Sequence, residues 1–180
     1  MDKRGLAKWA KITLIILISI VIILSVIVIT ILIVNSKNST TSQKTTLTNP
    51  INNLTDAEAQ EKLNKTFVRY LLYTIEADEL HRPPLSQDTP KINIYIGNLN
   101  FGAEISKGVI TVQDNPHSTS DIKIITTREE AIKMLRDASY IASSFSTGTS
   151  QIELVASKTK LFAKGYLKLY TELTGEEAAI

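Results

Sequence analysis

The sequence predicts an α+β domain behind a single N-terminal transmembrane helix, and three observations carry that expectation. Residues 12–34 are an unbroken uncharged run. Three later stretches open with helix-capping signals and repeat apolar residues at three- and four-residue spacing, as a helix with one buried face does. Between them the apolar spacing falls to two, the period of a strand with one buried face.

From Ile12 to Val34 every residue is Ile, Leu or Val except Thr13, Ser19, Ser25 and Thr30. As a helix the run covers roughly 34 Å, enough to cross the ~30 Å hydrocarbon core of a bilayer. In lipid the backbone groups must bond within the segment, so it is helical despite its many β-branched residues. It is too long for a cleaved signal peptide, and its exit, Ile33-Val34-Asn35-Ser36-Lys37, lacks an A-x-A site. Lys3, Arg4, Lys8 and Lys11 precede it, while only Lys37 and Lys44 follow at similar distance. The positive-inside rule therefore places residues 1–11 in the cytoplasm and everything after Val34 outside. The expected location is the cell membrane, spanned once, with the bilayer as partner through Ile12–Val34. Lys3-Arg4-Gly5 before an apolar helix also resembles the processing site of type IV prepilins. Lys8 and Lys11 interrupt that pattern, and Ala10 stands where that family carries glutamate.

Residues 35–50 read NSKNSTTSQKTTLTNP, with Leu47 the only large apolar residue after the asparagine that opens them. Such a stretch buries too little surface to offset ordering entropy and is expected to be a flexible linker. Asn38, Asn53 and Asn64 head N-x-[ST] sequons, candidate glycosylation sites on an outside segment. Residues 51–180 form the expected domain, with 14 Lys/Arg against 17 Asp/Glu. That balance lacks the basic stripe of a nucleic-acid binder. Cysteine is absent, so a core and not disulfides must hold the domain.

Within it, Thr55-Asp56-Ala57-Glu58 is a capping box, and Ala59, Leu63, Phe67, Leu71 and Ile75 follow on one helical face. The pattern predicts one helix to about Leu80, stopped by His81-Arg82-Pro83-Pro84. Ile92, Ile94 and Ile96 then alternate with polar neighbours, as do Phe101, Ala103 and Ile105. Lys107-Gly108 turns the chain into Val109–Gln113, and Ile122 and Ile124 resume the alternation. A second capping box, Thr127-Arg128-Glu129-Glu130, opens a helix expected to reach Ala142. A loop from Ser143 to Ser150 leads to a strand over Gln151–Val155, and Ser157 caps a last helix in which Gly165 is internal. The order is α-β-β-β-β-α-β-α. It predicts an antiparallel sheet of about five strands with helices on one face.

Little in the chain announces chemistry. His81 and His117 are the only imidazoles, no structural zinc pattern exists, and no metal or cofactor is expected. No nucleophile elbow or phosphate-cradling loop occurs. Asp78-Glu79 and Glu129-Glu130 fit helix ends. No residue is assigned to catalysis, and the chain is not read as an enzyme.

From Gly108 the residues GVITVQDNP, SDIKIITTREEAIKML and STGTSQIELVASKTKLFAKGYLKLYTEL resemble, in order and spacing, the sterol carrier protein family of small lipid-binding domains. That family usually has glycine between its last strand and helix, where this chain has Ala156-Ser157. The resemblance implies a sheet and overlying helices enclosing an apolar tunnel for lipids or sterols. Carried onto this sequence, the tunnel wall would be Phe101, Ile110, Val112, Ile124, Leu135, Phe145 and Leu154. Phe162, Tyr166 and Leu169 would form a lid helix, with Gly165 leaving room beside it. The expected function is a membrane-anchored, extracytoplasmic lipid-binding module. The alternative is a structural or interaction protein, a surface or pilin-like component, whose same apolar faces fill a solid core.

Overall fold

The computed structural model describes residues 47–178. The tail, the run Ile12–Val34, most of the linker and the Asn38 sequon lie outside the described residues. Among the described residues no helix is long and apolar enough to cross a membrane. The described residues belong to one compact unit, and the packed part begins slightly earlier than expected. The Asn49 side-chain amide donates to the Leu135 carbonyl at 2.7 Å, and Ile51 is fully buried.

The first predicted helix is two. Thr55 and Glu58 cap α1, Asp56–Glu61, reciprocally. Asn64 then starts α2, Lys65–Thr74, accepting from the Thr66 amide at 2.8 Å while donating to the Lys62 carbonyl at 3.0 Å. A side chain that bonds its neighbouring backbone competes with helix continuation, and here it wins. A 3-10 turn, Ala77–Glu79, replaces the last expected turn. The apolar stripe survives the break, because Ala59, Leu63, Phe67, Leu71 and Ile75 are all buried.

Five strands follow: β1 Lys91–Ile96, β2 Leu99–Ser106, β3 Val109–Asp114, β4 Ile122–Thr126 and β5 Gln151–Leu154. Lys107 and Gly108 both take positive φ, 52° and 76°, as a two-residue hairpin turn of type I′ requires. The strand order is β3-β2-β1-β4-β5. The expectation of a purely antiparallel sheet is corrected: β1 and β4 are parallel, with Ile92 beside Ile122 and Ile94 beside Ile124. The cause is the segment between β3 and β4, which recrosses the outer face of the sheet before β4 begins. Asn93 on that face holds it, donating to the His117 carbonyl at 3.0 Å and accepting from the His117 amide at 2.7 Å. Gly102 lies beneath; a Cβ there would sit 2.9 Å from the Asn115 carbonyl oxygen. Only glycine admits so close a backbone.

The inner face presents Ile92, Ile94, Ile96, Phe101, Ala103, Ile105, Ile110, Ile122 and Ile124, all buried. Thr127 caps α3, Arg128–Arg136, and α4 is Tyr140–Ser146. The expected continuous helix to Ala142 breaks at Asp137, whose carboxylate accepts from the Ser139 amide at 2.9 Å. Ser143–Ser146 are consequently helical and not loop, and Phe145 sits on α4.

The last helix is also two, α5 Lys158–Lys164 and α6 Tyr166–Thr174. Gly165 is therefore not internal to a helix. It joins the two at φ 86°, in the left-handed region. Gly165→Ala should cost about 1–2 kcal/mol through backbone strain. Crowding adds little, since the new Cβ would lie 3.5 Å from the nearest atom, His81 Cε1. Thermal unfolding of Gly165→Ala beside Ala163→Gly checks this: the first should lose more than the second.

Candidate functional site

The apolar face of α2 meets the middle of the sheet. Val68, Leu71, Leu72 and Ile75 of α2 and its C-terminal end lie over Ile94 and Ile124, with Met134 of α3 and Phe145 of α4 closing the sides. These eight side chains surround a void of about 10 Å³ with no polar lining. Such a space holds one water-sized sphere. Lipid and cofactor sites run to several hundred Å³.

Of the residues that the resemblance placed in a tunnel wall, Ile124 and Phe145 line this void. Phe101, Ile110, Leu135, Tyr166 and Leu169 are buried in the surrounding core, and Val112 and Leu154 are half-buried against it. Phe162 is 74% exposed and so faces away from the sheet. The turn at Gly165 sets that outcome: α5 is a separate short helix, and it buries Leu161 and Lys164 instead. Leu71 and Ile75, which α2 and its C-terminal end contribute, belong to the stripe that the sequence predicts as core, and Val68 lies outside that stripe.

Sequence reasoning missed a buried ionic cluster at the start of β1 and β4. Asp121, 1% exposed, accepts from the Lys91 amide at 2.9 Å, Lys164 Nζ at 2.9 Å, Tyr166 Oη at 3.3 Å and Lys160 Nζ at 3.0 Å. Lys164 is wholly buried and spends its three protons on Asp121, Asp88 and the Thr89 carbonyl. Burial, with the Asp121 charge and hydrogen bond behind it, pushes the Tyr166 hydroxyl well above the usual phenol range. The buried groups of the cluster are satisfied within the fold, so it clasps α5 and α6 to the strand starts, while Lys160 carries it out to solvent.

A second polar set underlies α4. Glu130, 5% exposed, accepts from Tyr140 Oη at 2.8 Å and Ser144 Oγ at 3.0 Å, and pairs with Lys133. Because Ser144 gives its proton to the carboxylate, Ser150 must donate to Ser144, and Thr126 to Ser150. Burial raises the Glu130 carboxyl, but hydrogen bonds from Lys133, Tyr140 and Ser144 outweigh it and hold the group below 4.5. Asp88 is likewise held below its ordinary 3.8. The unfolded chain therefore binds these protons first as pH falls, and the stability these carboxylates confer is lost below about pH 4.5. Urea midpoints measured from pH 7 to pH 3 should stay level and then decline, with a shallower decline in Glu130→Gln.

Among the described residues no group of three metal-ligating side chains converges. Asn53 and Asn64 are exposed, with Asn64 engaged as the α2 cap.

No family model and no curated protein matches this sequence. Among solved structures, the chain is similar to one described as the UbiJ-SCP2 ubiquinone synthesis protein, at 13% identity and TM-score 0.35, over 66% of this chain and 94% of that one. It is similar to Sterol Carrier Protein 2 Like 2 from Aedes Aegypti at 12% identity and TM-score 0.33, over 54% of this chain and 94% of that one. A third is the stereoselective inverting sec-alkylsulfatase Pisa1 from Pseudomonas sp., at 14% identity and TM-score 0.29, over 51% of this chain and 13% of that one. The first two are sterol carrier domains by name. Identities and TM-scores at this level leave all three as likenesses only.

Proposed function

We propose that this chain is a membrane-anchored, extracytoplasmic module that binds an apolar ligand between α2 and the sheet, without catalysis. The observation that supports it is the wholly apolar void under α2, which Ile124 and Phe145 of the expected tunnel wall help to line. The uncharged run Ile12–Val34 and the basic residues before it support the anchor and its orientation. At about 10 Å³ the void admits a ligand only if α2 moves outward. Its polar ties to the sheet are few: Tyr73 Oη to the Gly108 carbonyl and from the Ile110 amide, and an exposed Lys65–Asp114 pair.

The same small volume favours a second reading, a filled-core module that works through its surface. The compact unit separates the two. Under the first reading, native mass spectrometry finds co-purified lipid, and a single-chain fatty acid at 100 times its Kd raises the Tm by about 10 °C. Val68→Leu, whose extra methylene occupies the void, weakens that shift. Bare protein with an unmoved Tm leaves the filled-core reading.

A further inference from the structure

Four large apolar side chains stand exposed among the described residues: Leu85, Val109, Val155 and Phe162. Three of them gather around α5. Phe162 lies on its outward face, Val155 just precedes it, and Leu85 tips a loop that α5 holds at both feet. At one foot the His81 amide donates to the Lys164 carbonyl at 3.2 Å. At the other, Asp88 pairs with Lys160 at 2.9 Å and Lys164 at 3.0 Å.

The tip itself is built against its own preference. The Ser86 amide bonds the Pro83 carbonyl at 3.1 Å, closing a β-turn with Pro84 and Leu85 at its centre. Leu85 there takes φ 63°, where such a turn ordinarily takes glycine. A leucine in left-handed backbone with its side chain entirely in water gains nothing for the isolated domain, and strain of this kind gathers at functional positions. The neighbourhood is basic. Lys160 and Lys164 of α5 are balanced by Asp88 and Asp121, so the excess positive charge belongs to Lys158 and to Arg82, which the neutral Gln87 braces at 2.9 Å. The domain as a whole has the opposite balance, since residues 51–180 carry 14 basic against 17 acidic groups.

We infer that the Leu85 loop and the outward face of α5 are a membrane-docking edge, which inserts Leu85 and Phe162 among the acyl chains of an anionic lipid surface. Separate apolar prongs among basic residues fit a bilayer interface, which yields around each of them, better than the shaped face of a protein. The inference rests on the proposed anchor. An anchored domain meets the bilayer at high effective concentration, so a weak surface affinity suffices. The chain enters the domain at the end of α3 away from the β1–β2 turn. Asn49 is held at the C-terminal end of α3, whereas Arg128 at its other end reaches Asn98 and Gln60 beside the β1–β2 turn.

Because the chain has no cysteine, single probes can be placed cleanly. The full chain is reconstituted in phosphatidylcholine vesicles, with or without about 30% phosphatidylglycerol. A bimane label is carried at Leu85→Cys, Phe162→Cys or, as control beside the β1–β2 turn, Glu61→Cys. The expected result is a blue shift and quenching by chain-borne nitroxides at positions 85 and 162 in the anionic vesicles. At position 61 neither should occur, and about 1 M salt should weaken the effect. Quenching at 85 and 162 no greater than at 61, or at only one of the two, overturns the inference. Carbonate extraction of the same vesicles reads the anchor separately. A chain that resists extraction but shows no quenching keeps its anchor and loses the docking edge. A chain that is extracted loses the anchor, while the quenching arms still decide the edge.

Discussion

Asp121→Ala should destabilise the domain by about 3–5 kcal/mol, the range for removing one partner of a buried ion pair. The cost arises from what stays behind. Lys164, wholly buried on α5, would keep only Asp88 and the Thr89 carbonyl. The Lys91 amide at the start of β1 and the Tyr166 hydroxyl would lose acceptors as well. Lys164→Met should cost less, because Asp121 retains Lys160, the Lys91 amide and Tyr166, and the methionine stem packs where the lysine stem did. Urea unfolding of the two single variants and the double variant measures the coupling. The double variant should lose clearly less than the sum of the singles, since the second change removes the charge that the first one orphans. Additive losses, or an Asp121→Ala loss below about 1 kcal/mol, would mean that water reaches the cluster.

That cluster marks a limit of sequence reading. The four- and three-residue spacing of Phe162, Tyr166, Leu169 and Leu173 runs straight across Gly165, so the pattern describes one helix with a flaw, whereas the chain bends there in left-handed backbone. Once α5 is rotated by that bend, Lys164 turns inward and Phe162 outward, and neither outcome follows from periodicity. Asn64 and Asp137 break the other two helices in the same way, by local hydrogen bonds whose strength against helix continuation the sequence does not display. The strands were more legible. Alternation alone predicts the inner set Ile92, Ile94, Ile96, Phe101, Ala103 and Ile105, and every one of them is buried. The parallel β1–β4 pairing was not, because it depends on where the segment after β3 travels. The signal for that path was Gly102, a glycine inside a strand pattern, which marks close approach of another backbone. As for the candidate site, Ile124 and Phe145 of the expected wall line the void, and Ile94, Met134 and the α2 residues that complete it lie outside the expected set. Apolar stripes on two amphipathic helices look alike until packing chooses between them.

The strand register makes the sharpest demand on single substitutions. Ile110 in β3 is 2% exposed, pairs with Ile105, and lies beside α2, whose Tyr73 hydroxyl accepts from its amide at 3.1 Å. Ile110→Asp would set a carboxylate among apolar side chains with no cation in reach, an unpaired buried charge that should cost about 4 kcal/mol or more. Against a typical total of about 5–15 kcal/mol, that leaves the domain barely folded or unfolded at 37 °C. Thr111 is the adjacent residue and points to the opposite, solvated face, directly across from Glu104. Thr111→Asp would place like charges opposite one another on paired strands, which should cost about 0.2–1 kcal/mol. Thr111→Lys at the same position should be neutral or slightly stabilising, because it meets Glu104 with opposite charge. Circular dichroism melts of the three variants give the comparison. A large loss at 110 and small, sign-reversing changes at 111 fit the observed pairing, whereas equal losses at both would mean a register shifted by one residue, with every inward side chain of β3 on the wrong face.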